Sequence, residues 1–428
     1  MTARRSQNIS DESAESTHSS TLCADFELTN QLSANLDAQR NEDLENELQL
    51  QNATAHDVLA RVLSLRPQGS TTSSFAINNM AQPTKSVGFR TIGFGQCGIL
   101  FERPGRGYVV KVSRPSFEDA LWSDLKAHVA VYQAFEQRPD IAVRVPQVFS
   151  YVHKDNSEWW ETHLPLFPDA HATFPLPAMC LLTERILPLP KVARQALIDT
   201  YCPVSFRDIA SSQDTNRDCL ARIYLGRRRP TDPVPPANFT LRNFNLCLDQ
   251  MIDLGLPVYD YAQAIAEALA TIHWSANVDA YDVEFVLGSE ADTGYTHHIS
   301  RSLGLTPESL AAMPPQTDLE SKISVNFKRR ATRIWVLDFN LCTTWEGRVG
   351  WQYPDQLISQ LVSAFFENDP YYPRPLSELE VEKALWDQFS SAYIHTATEI
   401  LSTKDSRLSA LPQKFIDECV AKSAKALV

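Results

Sequence analysis

Residues 86–113 read SVGFRTIGFGQCGILFERPGRGYVVKVS, and the placing of glycine within them decides the fold. The chain has only 14 glycines in 428 residues, yet Gly88, Gly93, Gly95, Gly98, Gly105 and Gly107 crowd into this one stretch. Apolar and β-branched residues flank each turn signal, which predicts strand, glycine turn, strand, PGRG hairpin and strand. A G-x-G-x-x-G turn brings backbone N–H groups close to phosphate oxygens with no Cβ in the way. Dinucleotide folds use the same spacing, but their last glycine opens a helix. Here Gly98 runs into Ile99, Leu100 and Phe101, which continue as a strand.

Downstream, Phe117, Leu121, Asp124, His128, Val131 and Phe135 recur at three-to-four spacing and predict a helix over 117–135. Two apolar runs follow, VPQVFSYV from Val145 and MCLLTERI from Met179, around a proline-crowded loop, so the predicted order is β-β-β-α-β-β. Beyond Leu187 the two prolines of LPLP end the strand, and the pattern becomes largely helical. YAQAIAEALATIH puts Tyr261, Ile265, Ala268 and Ile272 on one face and runs into NVDAYDVEFVLG, a turn and a short strand. RIWVLDFN predicts another short strand, and LISQLVSAFF, LEVEKALWDQF and FIDECVAKSAKAL predict helices around DPYYPRP. Residues 1–85 are polar, with sparse apolar positions such as Leu28 and Leu48, and predict solvated helices at most, one of them over His56–Leu65, between disordered ends.

The net charge of −13 opposes binding of DNA or RNA, so no nucleic-acid partner is expected. Two short basic clusters, Arg227–Arg229 and Lys328–Arg330, are candidates for phosphate binding, for a nuclear-import signal or for a plain solvated loop. No secretory leader and no long apolar run is present, which points to a cytoplasmic or nuclear protein without a membrane partner. The eight cysteines include no pair two to four residues apart, so no zinc is expected.

Taken in chain order, these landmarks resemble protein kinases and the related aminoglycoside-phosphotransferase type over about Ser86 to Tyr372. The resemblance implies an α+β, protein-kinase-like two-lobed fold. A polar extension (1–85) would precede a small β-rich lobe (86–186) and a larger, mainly helical lobe (187–428) with an insertion at about 289–328. It implies that Gly93, Gly95 and Gly98 form a lid over ATP, that Leu100 covers the adenine, and that Lys111 in VVKVS pairs with the phosphates. Asp124, in preference to Glu118, would hold Lys111, and Glu184 at the end of CLLTE falls near the hinge that meets the adenine edge. NVDAYDVE sets Asp279 at the catalytic-base position, with Asp282 competing for that role, and Glu284 at the metal-binding Asn position. LDFN sets Asp338 at the magnesium-binding position. The pattern departs where Asn277 replaces His, Glu284 replaces Asn and Asn340 replaces Gly, and no A-P-E segment follows.

The stretches GFGQCGILF, DVEFVLG, WVLDFN and DPYYPRP also resemble an uncharacterised family of filamentous-fungal proteins that carries the label "zinc finger protein". Three functions are therefore expected as alternatives. The first is an atypical kinase-like protein that binds ATP and Mg²⁺ and phosphorylates a small molecule. The second is a catalytically degenerate pseudokinase, a binding or scaffold module with a protein partner. The third is a transcription-linked regulator.

Overall fold

The computed structural model describes residues 52–64, 88–104, 106–168, 175–230, 239–292, 306–312 and 326–426. The expectations for residues 1–51, and the tip of the PGRG turn at Gly105, lie outside the described residues.

Helix α1 (Ala55–Val62) opens with a capping box, in which Asp57 N–H donates to the Thr54 hydroxyl while Thr54 N–H donates to the Asp57 carboxylate. It is docked rather than solvated. Val58, Leu59, Val62 and Leu63 join the main core, because an eight-residue helix gains most of its stability from burying an apolar face.

The first sheet contains β1 (Arg90–Phe94), β2 (Gly98–Glu102), β3 (Tyr108–Ser113), β4 (Val148–Val152) and β5 (Cys180–Glu184), all antiparallel, in the order β1-β2-β3-β5-β4. Helix α2 (Glu118–Glu136) lies between β3 and β4 in the chain. It packs Leu121 and Leu125 with Tyr151, Met179 and Leu181 on one face of the sheet. The other face is closed by Phe89, Phe101, Trp160 and Phe167. Trp160 comes from a helix that the sequence pattern did not predict, α3 (Ser157–His163), capped by Asn156, whose side chain accepts from Trp159 N–H at 3.0 Å. Two turns are too short for a helical period to stand out, so the signal there was the cap alone.

After α4 (Lys191–Tyr201) and α5 (Arg207–Ser212) come β6 (Ala221–Tyr224) and β7 (Phe244–Cys247), then α6 (Leu248–Asp253) and α7 (Val258–Trp274). Next are β8 (Glu284–Asp292), α8 (Pro307–Ala312) and β9 (Asn326–Leu337). The chain closes with α9 (Gly347–Gln352), α10 (Pro354–Glu367), α11 (Glu380–Lys404) and α12 (Leu411–Ala426). The second sheet has the order β7-β6-β8-β9, with β6 and β7 parallel. The class is mixed α+β, with more strand than expected beyond Leu187. β6 and β7 have four residues each, too few for an alternation to register. β8 and β9 form a long hairpin whose register runs from Glu284 opposite Leu337 to Ala291 opposite Arg330, so both ends of the expected 289–328 insertion are strand.

Thirteen of the 17 residues of α7 are buried, so it is enclosed on all sides rather than on the one face its periodicity predicted. Its alanines let α11 lie along it. Among the described residues no helix is long and apolar enough to cross a membrane.

The two sheets are tied by a buried ion network. Arg90 reaches Asp218 through two bonds of 2.8 Å and also pairs with Glu102; Arg185 reaches Glu102 at 2.7 Å and Asp218 at 3.2 Å. Removing one partner strands a buried charge. Asp218→Ala is expected to lower unfolding free energy by about 3–5 kcal/mol, read as a drop in the urea midpoint at constant slope. A change below about 1 kcal/mol would mean that the network contributes nothing net.

Candidate functional site

Lys111 sits in the middle of β3, opposite Leu100 on β2 and Leu181 on β5. Its ammonium contacts Asp124 of α2 at 2.7 Å and Asp338, just past the end of β9, at 2.9 Å. The Asp124 carboxylate is almost fully buried, whereas that of Asp338 is one-third exposed. Burial alone would lower the Lys111 pKa, but the two carboxylates outweigh it and hold the pKa above its ordinary value. Glu118, the other candidate partner, is instead spent on Lys154 at 2.9 Å.

The glycine turn lies beside this lysine. Gly95 N–H closes the turn onto Gly98 O at 2.9 Å. Gly98 needs the absence of a side chain for packing: an added Cβ would fall 2.7 Å from Val112 O and 3.3 Å from Lys111 Cγ. At Gly95 an added Cβ meets nothing closer than 3.5 Å. Gly98→Ala is expected to cost about 1–3 kcal/mol in urea unfolding, while Gly95→Ala stays within about 1 kcal/mol of wild type. Leu100 faces Gly93 and is only partly covered.

Beneath the turn, Asn340 of LDFN donates to Cys97 Sγ at 2.9 Å, which pins the glycine turn to the segment after β9. Phe339 is fully buried against His128, which in turn hydrogen-bonds Pro146 O at 2.7 Å. Burial pushes the His128 pKa down, against the pull of Asp124.

Asp279 is 4% exposed, and both of its carboxylate oxygens are in use. Oδ1 accepts from Tyr281 N–H at 3.1 Å and Thr343 N–H at 2.9 Å, and Oδ2 accepts from Gln360 at 2.8 Å. Its own N–H donates to Thr343 O, so residues 277–279 are laced to 343–345. Around this lacing Asn277, Ala280, Asp282 and Asp338 all have positive φ, between 57° and 65°. Strain of that kind in non-glycine residues gathers at functional sites, and Asn and Asp tolerate it better than Ala. His273, at the end of α7, is buried against Tyr393 OH at 2.8 Å and is pushed down to about 3 by burial, as a packed core ring would be.

Glu284 is not free. It pairs with Arg222 of β6, which also reaches Asp369 at 3.0 Å, and Tyr224 OH donates to Asp369 at 2.7 Å. Burial raises Glu284 to about 7 despite Arg222, and Asp338, Asp282 and Asp369 add to the rise. Asp282, although exposed at the surface, is likewise raised, by the partial desolvation of its carboxyl group and then by Asp338 and Asp369. Its backbone N–H bonds Asn368, and among the described residues its carboxylate has no hydrogen-bond or ion-pair partner. Arg222 and Gln360 carried no motif signal, and Asp369, the first residue of DPYYPRP, carried none that pointed to this site. Arg222 sits in a four-residue strand, and Asp369 and Gln360 reach the site only through folding of the chain after β9.

Glu184 stands apart from this cluster. Its backbone and carboxylate both bond Gln147, and the charged groups acting on it are Glu290, Arg144 and Glu136. Burial pushes its carboxyl up to about 7 from 4.5. The folded chain therefore holds a proton that the unfolded chain has released, and stability from this group falls as pH climbs through that window. Glu184→Gln removes the effect. Its stability is expected to match wild type near pH 4 and to exceed it at pH 8 by on the order of 2–3 kcal/mol. Urea unfolding at both pH values measures this, and an advantage that does not grow with pH would rule out Glu184 as the titrating group.

Among the described residues no three His, Cys, Asp or Glu side chains converge as a metal-ligating set. Residues 334–405 match a family model described as "Zinc finger protein", and no curated protein matches the chain. The matched segment holds one cysteine, the buried Cys342, and one histidine, the exposed His395, whereas a structural zinc takes four ligands. What the segment does contain is Asp338, Asn340, Gln360 and Asp369, the lower half of the cluster just described.

Proposed function

We propose that this protein is a kinase-like nucleotide-binding module in which phosphoryl transfer has been lost, acting as a binding or scaffold protein. The carrying observation is Lys111, held between a helix carboxylate at 2.7 Å and the Asp338 carboxylate at 2.9 Å beside a glycine turn. A kinase strand lysine is held by a helix acid in this manner, so that it can meet the α and β phosphates. On this proposal the first sheet with α2 is the small lobe, and the chain beyond Leu187 is the larger one.

Among the described residues no three acidic side chains converge here as a ready ligand set, but the local charge suits a divalent cation. Asp282, Glu284, Asp338 and Asp369 are opposed, among the described residues, by Lys111 and Arg222, and burial, followed by the neighbouring carboxylates, raises the carboxyl groups of Asp282 and Glu284. Asp338 and Asp282 would hold Mg²⁺ brought in with ATP, with Glu284 joining if it left Arg222. Bound there, the ion would neutralise phosphate charge. Lys111 would orient the phosphates, and Leu100 would cover the base.

Loss of transfer is supported by Asp279, which is buried and already accepts three hydrogen bonds, from Tyr281, Thr343 and Gln360, so that a substrate hydroxyl would have to compete with them to reach it. A second reading rests on Asp282, whose carboxylate is unpartnered among the described residues and whose raised pKa suits a general base. In that case the protein would phosphorylate a small hydroxylated substrate.

The test uses the full chain. ATP with Mg²⁺ at about 100 times its Kd should raise stability by about 2.7 kcal/mol, seen as a thermal shift. Asp338→Asn, which keeps a residue at ease with positive φ, should lose most of that shift. No shift in wild type at saturating ATP would end the nucleotide proposal. ATP turnover abolished by Asp282→Asn but not by Asp279→Asn would overturn the loss of transfer and establish the second reading.

A further inference from the structure

The cluster Arg227–Arg229 lies outside the site above. Arg229 is used internally, bonding Asp249 at 2.6 Å and stacking over Tyr201. Arg227 and Arg228 point the other way in function: with Leu225 and Gly226 they line a cavity of about 320 Å³, closed on its far side by Pro373, Arg374 and the start of α11. That volume is at the lower end of small-molecule sites.

Close approach of the backbone builds this cavity. Gly226 N–H donates to Pro370 O at 2.9 Å, and a Cβ at Gly226 would fall 2.3 Å from Tyr372 O and 3.1 Å from Arg374 Nε. Only glycine lets the β6–β7 connection press so near to the segment after α10, and the contact sets Arg227 beside Arg374.

The charges do not balance. Three guanidiniums, Arg227, Arg228 and Arg374, line the cavity against one carboxylate, Glu382, an excess of two positive charges. Arg228 is matched by Glu382 at 2.6 Å. Among the described residues no carboxylate pairs with Arg374; it donates to Phe365 O at 3.2 Å and stacks on Phe365 and Phe366. Burial pushes its pKa down, and the nearby Tyr372 and Cys419 offset this only in part. Leu225 and Leu385, both fully buried, and the half-exposed Leu379 supply an apolar wall.

We infer that this cavity is a binding site for a small organic phosphate, the dianion seated between Arg227 and Arg374 and the apolar body lying on the leucine wall. Guanidinium is planar and permanently charged, and it meets phosphate oxygens through two parallel N–H bonds. Two unmatched positive charges suit a dianion better than a carboxylate. The site does not depend on the nucleotide proposal, because none of its residues contacts Lys111, Asp282, Glu284 or Asp338 in the described structure.

Calorimetric titration of the full chain with phenyl phosphate, inorganic phosphate, benzoate and benzyl alcohol tests it. Phenyl phosphate should bind most tightly, with inorganic phosphate and benzoate each weaker by about tenfold and benzyl alcohol not binding. Arg227→Glu and Leu379→Glu alter exposed side chains and leave folding intact, and each should weaken phenyl phosphate at least about tenfold. Arg374→Gln should do the same in whatever fraction folds. Equal binding of all three anions, or unchanged affinity in Arg227→Glu and Leu379→Glu, would overturn the site, the second result showing that the anion binds elsewhere.

Discussion

One ammonium group joins three parts of this chain that are far apart in sequence. Lys111 belongs to the first sheet, Asp124 to the helix packed on it, and Asp338 to the end of the second sheet's hairpin, 227 residues from the lysine. A buried carboxylate such as Asp124 is tolerable only with a cation beside it, and a buried lysine only with an anion. The three therefore constrain one another, and the helix, the sheet and the loop after β9 must keep the relative positions that satisfy them.

Around that constraint lies a surplus of negative charge with few ways to discharge it. Glu284 takes Arg222, Asp279 takes two backbone N–H groups and Gln360, and Asp282 is left with its proton held more firmly than usual. Most of these groups are drawn into bonds that hold the 277–284 turn against residues 343–345 and 368–369, so the same groups serve shape. The Cys97–Asn340 contact extends this lacing to the glycine turn, where a glycine in place of Asn340 would offer no side chain to bond.

The matched segment 334–405 contributes to both the lysine cluster and the arginine cavity. Asp338 and Asp369 reach the lysine cluster, and Arg374, Leu379 and Leu385 form one wall of the arginine cavity. A segment that contributes both to the lysine cluster and to the arginine cavity is under tight packing demands. Tyr371 and Tyr372 of DPYYPRP, both fully buried, anchor it between them.

By itself the sequence determined the elements with strong local signals. The glycine-rich hairpins, the helix over 117–135 and its acid at Asp124, and the apolar strand runs were legible because turn chemistry and hydrophobic period act over a few residues. The candidates Lys111 and Asp338 were legible because they sit at the ends or centres of such runs. Only the tertiary structure decided that Asp279 is consumed in hydrogen bonds, that Arg222 claims Glu284 and that Glu184 faces another cluster altogether. It alone also assembled β6 and β7 into a sheet with the long hairpin, and brought Arg227 to Arg374 across 147 residues of chain. The physical reason is range: a side chain's local period tells which way it faces, but its charge, its partners and its proton are set by groups that only folding brings within hydrogen-bond distance.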